Sequence, residues 1–354
     1  MRVSIPKNDL ARLVSSTAKA VESRNTLPIL ACVRLVVASG RVTATATDLE
    51  IEIQASAPCE AAEDGGFCVD AKLLAGIVSK AAGDTIAIDY DGSEATLKAG
   101  RSKFKLPTLP AEDFPKLDAG TFGASFEADL SALFAPVQFA MSDEETRYYL
   151  RGVFLQPGAA TATDGHRLAT RAFDPLGEFE PVIIPRKTVG ILPKGAATVE
   201  LSSTKIRLTA GGMQMTSRLI DGTFPDYERV IPGGNDKVVT FDGDALKAAV
   251  TRVAVVSNER GKSVKLTVRE EEIELWQRGE GEATDSVPAS YRGPALRAAD
   301  DPLSIGFNGS YLADALGALP AGQVDLAIAD AGSPALLTSQ AAEGLRIVCM
   351  PMRF

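Results

Sequence analysis

Apolar residues at helical spacing open the chain, where Leu10, Leu13, Val14, Ala18 and Val21 follow Asp9, itself placed as an N-cap. The stripe returns after Asp129 as Leu130, Leu133, Phe134 and Val137, and after Asp244 as Leu246, Ala249, Val250 and Val253. The copies stand about 115–120 residues apart, which divides the chain almost evenly into three. Strand-like runs follow each helix. In the first copy these are Ala31–Ala38 and Arg41–Thr47 around a Ser39-Gly40 turn, and in the second Gly152–Gln156 and Ala160–Thr163 around Pro157-Gly158. Thr47-Asp48-Leu49 lines up with Thr163-Asp164-Gly165, so corresponding turns end corresponding strands. A second helix is predicted in each copy, over Asp70–Lys80, Arg186–Leu192 and Ser310–Leu319, before closing strands with turns at Asp91-Gly92 and Gly211-Gly212.

This order describes an α+β fold in which two helices cover one face of an antiparallel sheet, used three times. The repeats set domain boundaries at 1–120, 121–237 and 238–354. Repetition does not choose a function, but similar units joined by similar interfaces favour a curved or ring-shaped assembly. Two departures stand out. Pro136 falls inside the expected helix Asp129–Ala140 and should interrupt it, and neither that helix nor Ser310–Leu319 carries a Lys or Arg.

Composition narrows the classes. With 45% apolar and 23% charged residues in 354, the chain reads as globular, with no secretory signal and no run near the roughly 18 apolar residues of a membrane span. Cys32, Cys59, Cys68 and Cys349 lack CxxC spacing, which suits reduced thiols in a cytoplasm rather than a disulfide framework or a zinc site. The net charge of -9 argues against a surface coated in basic residues, although an acidic exterior around a basic inner surface gives the same sum.

An ordered set of segments is more specific: Arg24–Leu30 (RNTLPIL), Thr47–Glu50 (TDLE), Thr108–Pro115 (TLPAEDFP), Arg147–Leu150 (RYYL), Ala162–Ala169 (ATDGHRLA), Asp221–Tyr227 (DGTFPDY) and Met350–Phe354 (MPMRF). In order and spacing they resemble the β subunit of bacterial DNA polymerase III along essentially the whole chain. The resemblance implies a non-catalytic processivity factor: two subunits of three domains each close head to tail as a ring around duplex DNA. It implies duplex DNA, a second copy, the polymerase catalytic subunit and an ATP-driven clamp loader as partners. Repair polymerases and mismatch-repair proteins are expected to share the same cleft, in the cytoplasm, with no cofactor or metal.

A sliding ring should touch phosphates without reading bases. The polar helix sides carry Arg12, Lys19, Lys72, Lys80, Arg186, Lys187, Lys247 and Arg252, with Arg24 just beyond the first helix. The resemblance selects Arg24, Lys72, Arg186 and Lys187, together with Tyr148 and Tyr149, as DNA-facing; each basic residue taken alone also reads as part of a solvated helix face. Phe104 and Leu106 alternate with Lys103 and Lys105, and the resemblance has them pack across the dimer interface against Val255 and Val256. On pattern alone Phe104 and Leu106 belong to their own core.

The resemblance also implies a cleft between the second and third domains for short peptides that carry a glutamine and two apolar anchors. It places Leu150, Thr163, Gly165, His166, Arg167, Leu168, Pro225, Val230, Val348, Met350, Pro351 and Met352 there. Methionine and small aliphatic residues suit a site that repacks for many partners. His166 taken alone is a turn residue, since no nucleophile and base accompany it. A nucleotide-using enzyme finds no GxxxxGK[ST], GxGxxG or HExxH, and Asp143, Glu144 and Glu145 read as a solvated loop before a metal site. A repeat-built scaffold unrelated to DNA is the other alternative.

Overall fold

The computed structural model describes residues 1–22, 27–118, 120–258, 262–295 and 303–354, so Arg24 lies outside the described residues. The chain forms two compact units, one of Met1–Asp129 with Ile191–Leu219 and the other of Leu130–Gly190 with Ile220–Phe354. The middle repeat is shared between them.

In the first unit, helices α1 (Lys7–Thr17) and α2 (Ala71–Lys80) pack side by side. Leu10, Leu13, Val14 and Thr17 of α1, at i, i+3, i+4, i+7, and Ala71, Leu74, Ile77 and Val78 of α2, at i, i+3, i+6, i+7, are buried, one face of each helix. Burying each Leu or Val side chain fully stabilises by roughly 2 kcal/mol. Beside them lies a five-stranded sheet in the order Glu60–Glu63, Arg2–Pro6, Thr85–Tyr90, Glu94–Ala99, Ser102–Pro107. A nine-stranded sheet joins the first repeat to the middle one: Ile51–Pro58 pairs antiparallel with Met213–Arg218, from Ile51 against Ser217 to Ala55 against Met213.

Asp9 is not the cap of α1. The helix begins at Lys7, whose N–H donates to the Asp84 carbonyl at 2.8 Å, and Pro6 holds the N-cap position. Asp9 sits in the first turn, where the helix dipole favours a carboxylate, and reaches Arg12 at 3.4 Å. The cap of α2 is Asp70, which accepts from the Leu73 N–H at 2.7 Å.

The second unit is built on a twelve-stranded sheet in which Arg167–Ala172 of the middle repeat pairs antiparallel with Leu345–Cys349 of the third. The middle repeat's helices are short. Helix α3 covers only Leu130–Phe134, stopping two residues before Pro136, and α4 covers Arg186–Gly190 instead of running to Leu192. In the third repeat α5 (Gly243–Val253) and α6 (Gly309–Ala318) pack together through faces that include Leu246, Val250, Leu312 and Leu316. Asp242, not Asp244, caps α5 by accepting from Ala245 N–H at 2.8 Å, and Asn308 caps α6.

Candidate functional site

The turn Thr163–Arg167 leads into strand Arg167–Ala172 of the second unit. Thr163 Oγ1 donates to the Arg167 carbonyl at 2.8 Å and accepts from Gly165 N–H at 3.1 Å. Asp164 Oδ1 accepts from the N–H groups of His166 and Arg167 at 2.8 and 3.0 Å. Gly165 has φ +88°, the left-handed region that glycine enters without strain. Thr47–Ile51 in the first repeat repeats this bonding: Thr47 Oγ1 to the Ile51 carbonyl at 2.8 Å, and Asp48 Oδ1 from Glu50 and Ile51 N–H at 2.9 and 2.6 Å. There Leu49 holds φ +79°.

Below the turn, Leu150, Leu168, Ile183, Phe224, Tyr227 and Val348 form one buried apolar cluster. Phe154 stacks on Phe224 at 4.6 Å, and Tyr227 Oη donates to Gln156 Oε1 at 2.8 Å. Leu150, Leu168 and Val348, expected at the peptide site, all belong to this cluster. Pro225 and Val230 are exposed, Val230 at 50%. The reading from sequence missed Phe224, Tyr227, Ile183 and Phe154. The signal for the first two lay in the DGTFPDY segment, where two aromatic residues stand three apart among polar neighbours. Tyr149, expected at DNA, packs against this cluster, with its Cβ 3.0 Å from where a Cβ on Gly222 would stand. Tyr148 is 53% exposed and meets Tyr149 edge-on at 5.7 Å.

Arg167 is committed inward. Its Nε donates to Asp164 Oδ2 at 3.0 Å and its Nη1 to Asp314 Oδ2 of α6 at 2.7 Å, while the guanidinium lies 4.3 Å from the Tyr311 ring centroid. Burial works against its charge, but the hydrogen bond to Asp314 and the fields of Asp164 and Asp314 outweigh burial and raise its pKa. Arg167 therefore ties the turn to α6. His166 is exposed, and its carbonyl accepts from Met350 N–H at 2.8 Å. Met350 and Met352 are 42% and 40% exposed, with Pro351 half-buried between them, so two flexible thioethers stand at the surface beside His166. Burial pushes the neighbouring Cys349 thiol up to about 12, leaving it a neutral core residue.

Lys72 is exposed on α2, in the first unit. Arg186 is exposed in the second, pairs with Asp143 at 2.9 Å and donates to the Met141 carbonyl at 3.0 Å; Lys187 beside it is half-buried. Glu144 pairs with Arg147 at 3.1 Å, so two carboxylates of the acidic loop face arginines. At the expected interface, Val255 is 82% exposed and Val256 half-buried. Ser102–Pro107 is an edge strand, and on it Phe104 is half-buried. Leu106 is only 3% exposed, which corrects its placement as a contact across the interface. It pairs in register with Ala95, as Phe104 does with Leu97, so both face the apolar side of their own sheet, and Leu106 is fully covered there.

Comparison with known proteins agrees with this architecture. Three family descriptions match in order: DNA polymerase III beta subunit N-terminal domain over residues 1–118, central domain over 127–226 and C-terminal domain over 228–353. Beta sliding clamps of Pseudomonas putida and Escherichia coli are 37% and 34% identical, each aligned over all of both chains. Among solved structures, the sliding clamp of Bartonella birtlesii bound to griselimycin is 36% identical with a TM-score of 0.93, covering all of both chains. The Caulobacter crescentus clamp, with PEG at a putative beta-motif tethering region, is 34% identical with a TM-score of 0.92, covering 100% of this chain and 99% of that one. The chain belongs to the DNA polymerase III beta subunit family, the bacterial sliding clamps.

Proposed function

We propose that two copies of this chain close head to tail into a ring around duplex DNA, and that the cleft lined by Leu150, Leu168, Phe224 and Val348 holds peptide segments of proteins that work on that DNA. The observation that carries the ring is a repeated strand pairing. Ile51–Pro58 of the first repeat pairs with Met213–Arg218 of the second, and Arg167–Ala172 of the second pairs with Leu345–Cys349 of the third. In the same scheme, Glu282–Arg292 of the third repeat would pair with Ser102–Pro107 of the first. Among the described residues Ser102–Pro107 ends its sheet, and Glu282–Pro288 is paired on one side only, with Glu272–Arg278. Two such edges invite a specific partner, and a second copy offers both. Lys103 on one edge and Glu282 on the other are opposite in charge, while Lys105 already pairs with Glu94 at 2.9 Å and Asp285 with Arg252 at 2.7 Å within the chain.

In this reading the three domains are 1–120, 121–237 and 238–354, and Lys72, Arg186 and Lys187 meet phosphates without reading bases. Arg24 is assigned with them by resemblance. Tyr149 is a wall of the peptide cleft, and Tyr148 stays a DNA-facing candidate beside it. The chain performs no catalysis. The catalytic subunit of DNA polymerase III and an ATP-driven loader are its partners, and repair polymerases and mismatch-repair proteins compete for the same cleft in the cytoplasm. Protein loaded on nicked circular DNA should stay bound through a high-salt wash that strips simple electrostatic binders, and should leave once the circle is cut. Equal retention on linear and circular DNA would remove the ring from consideration.

A further inference from the structure

The segment Met350–Phe354 is held on both sides. Met350 N–H donates to the His166 carbonyl and Met352 N–H to the Gly306 carbonyl, each at 2.8 Å, so alternate residues bond the middle repeat and strand Leu303–Asn308 of the third. This approach depends on Gly306. A methyl group there would stand 2.7 Å from the Phe354 ring, closer still to the Met352 carbonyl oxygen, and 2.9 Å from Ser263 Oγ. Backbone atoms cannot yield at that distance as the end of a long side chain can. Beyond the crossing, the Phe354 ring lies 4.9 Å from Lys265 Nζ and walls an open hollow of about 850 Å³ that Trp276 also lines.

From this geometry we infer that Gly306 is a positioning residue for the peptide cleft. Its missing side chain seats Met352 and Phe354 on the outer strand, and this sets Met350 and Pro351 at the cleft edge before a peptide arrives. An unseated segment would have to be ordered during binding, so the loss would appear in affinity and not in the stability of the sheet. The inference rests on the peptide-cleft reading above.

Trp276, the single tryptophan of the chain, reports on this hollow. The test titrates a synthetic peptide carrying one glutamine and two apolar anchors into the full-length protein, and records Trp276 emission, sedimentation and melting for each variant. Gly306→Ala is expected to shift the emission and weaken peptide binding about ten-fold, with mass and melting temperature unchanged. Phe354→Ala alters only an exposed side chain. It should shift the same emission with a smaller loss of about three-fold, and it carries the test if Gly306→Ala destabilises its strand. Wild-type affinity in both variants overturns the inference while leaving the cleft standing. A wild-type protein that fails to bind the peptide overturns the cleft reading, and this inference with it.

Discussion

Single residues decide how alike the repeats are. The turns at Thr47 and Thr163 use the same threonine and aspartate bonds, and both put their third residue at positive φ, yet one has Leu49 where the other has Gly165. Gly165→Ala forces a Cβ into that conformation and toward Arg147 Nη1 at 2.8 Å, a flexible neighbour that can move. The backbone term remains, and a loss of about 1–2 kcal/mol is expected in chemical denaturation. Leu49→Gly relieves the same strain but loses part of a side chain that is 42% exposed and frees the unfolded chain. These effects oppose one another, and a net change below about 1 kcal/mol is expected. Equal losses at both positions would show that φ does not control these turns. The alignment of the two Thr-Asp turns was legible in the sequence because the bonding is local, closed within five residues, Thr47–Ile51 and Thr163–Arg167. Phe224 and Tyr227 were not, because a side chain reveals itself as a pocket floor only once strands distant in sequence, such as Gly152–Gln156 and Leu345–Cys349, are in place.

At the scale of elements, type and order were readable and ends were not. The stripes at Leu10, Leu130 and Leu246 all became helices, and Pro136 cut the second as its missing N–H requires. Asp9 was misplaced as a cap because a cap belongs to whichever residue leaves the preceding strand, which in the first repeat is Pro6. In the third repeat Asp242 and Asp244 compete, and Lys237–Asp242 ends at the first of them, so Asp242 accepts from Ala245 N–H. Asp242→Ala should therefore cost about 1 kcal/mol in unfolding free energy, the usual loss of a side-chain cap. Asp244→Ala removes only a first-turn charge and should cost no more than about 0.5 kcal/mol, an effect that fades in high salt. A reversed order of the two losses would restore the cap to Asp244. Leu106 differs in kind. Strand alternation alone already put Phe104 and Leu106 in their own core, and the register against Ala95 and Leu97 agrees with it; only the resemblance moved Leu106 to the interface.

For the whole molecule the question is the polarity of assembly, which one pair of variants can decide. Phe104, on the free edge strand of the first repeat, and Val255, 82% exposed in the third, stand on opposite sides of the proposed junction. A head-to-tail dimer has two identical junctions, each made from one first repeat and one third repeat. Phe104→Asp therefore puts one charge into both junctions, and so does Val255→Asp. An unpaired charge trapped in an apolar contact costs about 3–5 kcal/mol, or a factor of about one hundred to several thousand in the dissociation constant per junction. Each variant alone should sediment at the monomer mass of 37.2 kDa at low micromolar concentration. Mixed in equal amounts they should recover a dimer, because the Val255→Asp chain brings an intact Phe104 and the Phe104→Asp chain an intact Val255. One clean junction then forms, while the other collects both charges and stays open. The mixture should thus have twice the monomer mass and yet slip from circular DNA that retains the wild-type ring. A face-to-face dimer behaves otherwise: if first repeats paired with each other, Val255→Asp alone would remain dimeric and mixing would rescue nothing. Dimeric Val255→Asp protein, or a mixture that stays monomeric, would each rule out head-to-tail closure through these two edges.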